Sequence, residues 1–161
     1  MKELLKRTCE RDYIMFMVGI HTGFIPKDIL YLKVRDVKNK DYLIGGTGST
    51  ERRIEISVEL KRVLNIYIAD KKLDDYLFCS KINKNQHIGP HRAYEILNRA
   101  AKQLNIINIG TLSMRKTFGY HFYKKHRDLV LLKKTLAQTD LIDTLAYIGW
   151  DEHDVISNAM R

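Results

Sequence analysis

Arg115, Lys116, Lys124, Lys125 and Arg127 follow one another with no acidic residue until Asp128, and Arg52-Arg53 adds a second cationic pair. Guanidinium and ammonium groups gathered in this way suit a polyanion, because they neutralise phosphates through an attraction that is largely independent of base sequence and weakened by salt. The alternative is an ordinary solvated face. The charge balance of the chain favours the polyanion: 28 Lys and Arg against 19 Asp and Glu leave a net charge of +9, and the pI is about 9.5. Double-stranded DNA is the partner this balance suggests. Other chemistries find less support. His87 and His91 bracket Gly89-Pro90, and His121 and His126 stand off a common helical face, so neither pair makes a metal motif. Cys9 and Cys79 lie far apart and outside any paired motif, which reads as free buried thiols. No metal ion and no cofactor is expected.

The elements that position these residues are mostly helical. A chain of 161 residues with 45% hydrophobic content fits one compact domain spanning 1–161. From Arg11 to Ile20 the sequence is apolar on almost every side, which predicts a helix buried all round at the centre of the molecule. After a break at Thr22-Gly23, Pro26 opens a second short helix carrying Ile29, Leu30 and Leu32. The runs 41–44 and 52–56 flank a loop with three glycines, a pattern that predicts a β-hairpin, joined by a short strand near Val34 to Val37. Ser57 caps a helix through about Asp70, with Leu60, Val63, Leu64 and Tyr67 at helical spacing. Pro90 starts another, whose stripe is Tyr94, Leu97, Ala101 and Leu104. Further helices are expected at about 112–126, 128–137, 140–148 and 152–160. The fold class is therefore mainly α with a small antiparallel β-sheet. The longest apolar run, Tyr13 to Ile20, has eight residues, against the ~20 that a membrane-spanning helix needs. The N-terminus mixes charges of both signs and lacks a secretory pattern, so the expected location is cytoplasmic.

Four segments, in order along the chain, resemble the catalytic domain of the tyrosine recombinases, the phage integrase family. His21 to Val37, with Thr22-Gly23-Phe24-Ile25-Pro26-Lys27-Asp28-Ile29, is similar to the family's TGLR-x-x-E-L box. The glycine-rich hairpin ending Glu51 to Ile56 is the second segment. Leu112-Ser113-Met114-Arg115-Lys116-Thr117-Phe118 resembles H-x-L-R-H-T-F, and Ala137 to Gly149 resembles G-H-x-x-x-x-T-x-x-Y. The separations agree as well, with Arg115 to Gln138 and Gln138 to Tyr147 spaced as in many family members.

The resemblance implies a DNA breaking-rejoining fold and attack of a tyrosine hydroxyl on a DNA phosphodiester, without metal or nucleotide. Two guanidinium forks would meet the negative charge building on the non-bridging oxygens, and a hairpin lysine would protonate the leaving oxygen. Carried over position by position, the family's set is incomplete here. Arg115 stands at the second arginine and Tyr147 at the nucleophile. Ile25 replaces the first arginine, Thr47 falls at the hairpin lysine, Leu112 at the first histidine and Gln138 at the second histidine or tryptophan. Each donor lost to a developing anion costs ~2.7–4 kcal/mol in comparable acyl-transfer sites, although such losses overlap. The expectation is a catalytically inactive, integrase-like DNA-binding protein. It would serve as a regulator of a phage or other mobile element. Its phosphate contacts would come from Arg52, Arg53, Arg115, Lys116, Lys124 and Lys125. The alternatives are an active recombinase with a rearranged site, and a protein-interaction module that pairs with a recombinase.

Rescue by neighbours is not expected. Lys27 should point away from the position of Ile25, and Arg52 or Arg53 would be a poor proton donor in place of the lysine. Two simpler roles stay open: Tyr147 as a packing residue beside Leu145 and Ile148, and Arg115 as an internal salt-bridge partner of Asp36 or a C-terminal acid. Residues 140–161 hold Asp140, Asp143, Asp151, Glu152 and Asp154 against Arg161 alone. The resemblance implies that this acidic segment docks on a neighbouring protomer or a partner recombinase. It also implies a core-binding domain on the N-terminal side; the chain starts just before the catalytic boxes, so that half of the DNA clamp is expected to be absent.

Overall fold

A computed structural model of the protein describes residues 1–48, 51–83 and 85–150. Its elements run α1 (Lys2–Thr8), α2 (Glu10–Thr22), α3 (Pro26–Leu30), α4 (Val34–Val37), β1 (Tyr42–Gly45), β2 (Arg52–Glu55), α5 (Val58–Tyr67), α6 (Pro90–Gln103), α7 (Thr111–His126), α8 (Leu129–Thr135) and α9 (Leu141–Ile148). The two strands pair antiparallel in the register Tyr42↔Glu55 to Gly45↔Arg52. The expected class, mainly helical with one small antiparallel sheet, is the observed one.

Helix α2 is the axis of the main core. Tyr13, Ile14, Met15, Met17, Val18 and Gly19 are all buried on it, as its all-round apolar sequence predicts. It ends where Gly23 takes a left-handed φ of 63° and returns its N–H to the Gly19 carbonyl at 3.1 Å. Gly19 itself lies under Met114: a Cβ there would stand 2.5 Å from the Met114 sulfur, so its absence lets α2 and α7 approach closely. A second, smaller cluster of Phe118, Tyr123, Leu132, Leu136, Ile148 and Trp150 is built by α7, α8 and α9. Helix α7 belongs to both, with Met114 in the first cluster and Phe118 in the second.

Side-chain caps fix several boundaries read from the sequence. Ser57 Oγ accepts from the Leu60 N–H at 3.3 Å, Asp128 from Leu131 at 2.8 Å and Asp140 from Asp143 at 2.9 Å. Other expectations are corrected. The segment Val34–Val37 is a helical turn, not a strand, because Asp36 accepts the Lys33 N–H at 2.8 Å and closes a turn that buries Val34 and Val37 together. On α6 the inward face is Ala93, Ile96, Leu97, Ala100 and Ala101, while Tyr94 and Leu104 are exposed; the alanines bring the helix close to its neighbours and tilt the larger residues outward. The helix from Ser57 stops at Tyr67, short of Asp70. Helix α1 lacked a sequence signal, its one buried residue being Leu5. Both cysteines are free but half-buried, so the expectation of buried thiols is corrected. The helix expected at 152–160 lies outside the described residues.

Candidate active site

Three chain segments meet at Arg115. Its side chain rises from α7 at the junction of the two clusters and is only 6% exposed. One guanidinium N–H donates to the Gly23 carbonyl at the end of α2, and another to the Leu136 carbonyl at the end of α8. The Tyr147 hydroxyl, on α9, is also within its hydrogen-bonding reach. Arg115 thus fastens α7 to α2 and to the α8–α9 unit. Of the internal ion pairs left open for Arg115, the one with Asp36 does not form, Asp36 serving as the α4 cap, and the acids Asp151, Glu152 and Asp154 lie outside the described residues; the partners are carbonyls.

Tyr147 is half-buried and packs, with Leu145, against the smaller cluster that holds Ile148. Burial raises its phenol above the ordinary value, and the Arg115 charge and hydrogen bond pull the other way. The Lys116 ammonium stands 5.3 Å from the centre of the Tyr147 ring. Burial lowers the Arg115 guanidinium, and the charge of Arg52 lowers it further.

Arg52 is the residue whose role the sequence left hardest to read. Alternation along β2 turns it inward while Arg53 faces out. The Arg52 guanidinium lies 5.9 Å from the centre of the Phe24 ring and 3.4 Å from the Asp28 carboxylate, with the two side chains 10% and 13% exposed. Its Nε is buried and has no hydrogen-bond partner among the described residues. Arg53 instead covers Tyr42 at 3.3 Å. The signal that separates the two neighbours was present as strand parity, but it needed the register to be read.

The remaining positions frame this cluster. Ile25, the residue before α3, and Leu112, in the first turn of α7, are 37% and 47% exposed. Gln138 is half-buried, two residues beyond the carbonyl of Leu136. Thr47 lines a groove of about 750 Å³ between α3, α4 and the hairpin, together with Lys27, Arg35, Lys40 and the same Asp28 that meets Arg52. Lys124 and Lys125 occupy the last turn of α7, nine and ten residues beyond Arg115, a distance of roughly 14 Å along the axis. The structure therefore brings together Arg115, Tyr147, Lys116, Arg52 and Asp28, and leaves Arg53, Lys124 and Lys125 outside. Among the described residues no group of three His, Cys, Asp or Glu is placed to hold a metal ion. His87 stacks on Tyr31 at 4.4 Å, and His91 lies 3.8 Å from Glu95. The cluster thus gathers two guanidinium groups, a phenol and an ammonium in the neighbourhood of the Asp28 carboxylate.

A helical domain with one hairpin, carrying an arginine and a tyrosine on neighbouring helices, defines a DNA breaking-rejoining catalytic-domain fold. The crystal structure of XerA recombinase superposes with a TM-score of 0.80 at 18% identity, covering 99% of this chain and 58% of that one. The post-cleavage complex of XerH site-specific recombinase with its palindromic difH substrate gives 0.73 at 18% identity, over 98% and 49%. At this identity the likeness is one of fold. In sequence, residues 1–153 match the phage integrase family. The probable integrase/recombinase YoeC of Bacillus subtilis is 39% identical over 153 residues, 94% of this chain and 84% of that protein. Tyrosine recombinase XerC of Thermodesulfovibrio yellowstonii is 26% identical over 91% of this chain and 52% of its own length. The chain belongs to the phage integrase family, and it spans about half the length of the XerC relative. No helix among the described residues is long and apolar enough to cross a membrane.

Proposed function

We propose that this domain binds duplex DNA by seating a backbone phosphate against Arg115 and Tyr147, and that it does not cleave an ordinary phosphodiester at a useful rate. The observation that supports the reading is the nearness of the half-buried Tyr147 phenol to the buried Arg115 guanidinium, with the Lys116 ammonium over the tyrosine ring. A phosphate can be held there. What the site lacks is proton traffic: Thr47 cannot act as an acid in place of the lysine, and Leu112 and Gln138 are no bases to take the proton of the phenol. An alkoxide leaving group that must depart without a proton keeps the barrier high.

A domain of this kind acts in DNA recombination as a binder, regulating a phage or other mobile element, alone or alongside an active recombinase. The second reading is an active recombinase with a rearranged site. It is favoured by Arg52 beside Arg115 and by Lys116 over Tyr147, which supply positive charge from positions outside the family's set. One experiment separates the two. Incubation with a nicked suicide duplex should give no covalent protein–DNA adduct, whereas an adduct that disappears in Tyr147→Phe establishes the active enzyme. Duplex binding itself is read by mobility shift across a salt series. Absence of a shift at low salt, with a protein complex by light scattering, favours the interaction module instead.

A further inference from the structure

We propose that Arg52, on the hairpin, supplies the second guanidinium of the phosphate site in place of the arginine missing at Ile25. The inference rests on the reading that Arg115 and Tyr147 seat a phosphate, and names a further ligand for it.

The position follows from the packing of three residues. Gly45 and Arg52 face each other in the hairpin register. A Cβ on Gly45 would come within 2.7 Å of the Phe24 ring, so the bare backbone lets the hairpin settle directly on Phe24. The Arg52 guanidinium lies over that same ring at 5.9 Å. Phe24 sits between Gly23, whose carbonyl holds Arg115, and Ile25, where the first guanidinium would be expected. Arg52 thus lies against the residue that precedes Ile25 and reaches it from the hairpin.

Its bonding is unfinished. Arg52 is nine-tenths buried, its Nε has no partner among the described residues, and its contact with Asp28 at 3.4 Å is longer than the ~2.7–2.9 Å of a good charge-assisted hydrogen bond. Two guanidinium groups that feel each other's charge, with Lys116 over the Tyr147 ring and Asp28 as the carboxylate that meets Arg52, leave a surplus of positive charge among the described residues of a partly dry site. Such a surplus is unfavourable in the empty protein and becomes favourable when an anion enters. A phosphodiester offers two non-bridging oxygens, one for each fork. The guanidinium does not restore the missing acid, because it holds its proton too tightly to donate it to a leaving group. Binding without cleavage is the combination expected.

The test uses the whole chain and compares it with Arg52→Gln and Arg52→Lys. Fluorescence anisotropy with a 25-base-pair duplex is measured over a salt series, and melting temperature with and without inorganic phosphate. Wild type should bind with a steep salt dependence. Arg52→Gln should flatten the slope of log affinity against log salt by about 0.9, the loss of one phosphate contact, and Arg52→Lys should retain most of it. Phosphate should raise the melting temperature of wild type more than that of Arg52→Gln. Should Arg52→Gln lower the melting temperature without altering slope or phosphate response, Arg52 is a structural ion-pair partner and the inference falls. If Arg52→Gln does not fold, Asp28→Asn serves instead: releasing Arg52 from its carboxylate should enlarge the rise in melting temperature with phosphate, and an unchanged response overturns the inference. If wild type binds no duplex yet gains stability from phosphate through Arg52, the anion site stands and the duplex reading falls.

Discussion

Replacing Arg115 with methionine tests whether one side chain both holds the domain together and prepares the site. Methionine keeps an unbranched apolar stem, fits a buried position and donates no hydrogen bond. Two carbonyls, of Gly23 and Leu136, then lose their donor. Each such loss in a buried place costs about 1–3 kcal/mol. Part of that is returned, because the substitution also removes a buried charge and its repulsion with Arg52. A net loss of about 2–4 kcal/mol is expected, which for a domain of this size lowers the melting temperature by roughly 5–15 °C. The effect should be local. Arg115 ties the small α7–α9 cluster to the main core, and Trp150, the only tryptophan of the chain, is buried in that cluster 5.0 Å from Tyr123. Tryptophan fluorescence therefore reports the small cluster and far-ultraviolet circular dichroism the whole fold. In Arg115→Met the fluorescence transition should precede the dichroism transition, where wild type shows the two together. An Arg115→Met protein that melts within 2 °C of wild type, with coincident transitions, would refute the view of Arg115 as the fastener between clusters.

Three further outcomes follow from named contacts. A suicide duplex carrying sulfur at the 5′ bridging position releases a thiolate that needs no proton, so it should trap a Tyr147-dependent adduct where the all-oxygen duplex does not; trapping of neither locates the defect elsewhere, and equal trapping of both refutes the missing acid. His21 is held below its ordinary value of 6.5 by burial, against the opposing pull of Glu59, and its Nδ1 pairs with Ser57 at 2.8 Å. A lowered histidine pKa means that the unfolded chain binds the proton more readily, so stability falls as pH drops below about 6.5; His21→Gln should flatten the melting-temperature profile between pH 7.5 and 5, and an unchanged slope contradicts this. Gly23→Ala forces a side chain onto a φ of 63° and brings its Cβ to 2.3 Å from Phe118. Strain and overpacking together should cost about 2–4 kcal/mol in urea unfolding and weaken duplex binding by shifting the carbonyl that holds Arg115.

The sequence by itself determined the class of fold, because its signals are local. The all-round apolar run of α2, the caps at Ser57, Asp128 and Asp140 and the glycine-rich turn each act within a few residues of where they are written. It also identified Arg115 and Tyr147, which keep their places in two recognisable boxes. The strand expected at 34–37 and the stripe on α6 were misread because the deciding contacts, an aspartate closing a turn and alanines admitting a neighbour, outweigh periodicity in short elements. Only the tertiary structure decided which cations share the site. Arg52 and Arg53 are adjacent in the chain and equivalent in composition, yet strand parity turns one toward Phe24 and Asp28 and the other onto Tyr42. Lys124 and Lys125 belong to the same basic run as Lys116, but helical rise carries them away from Tyr147. Charge is a property of residues, whereas a phosphate site is a property of distances, and those distances are set by packing between segments far apart in the chain.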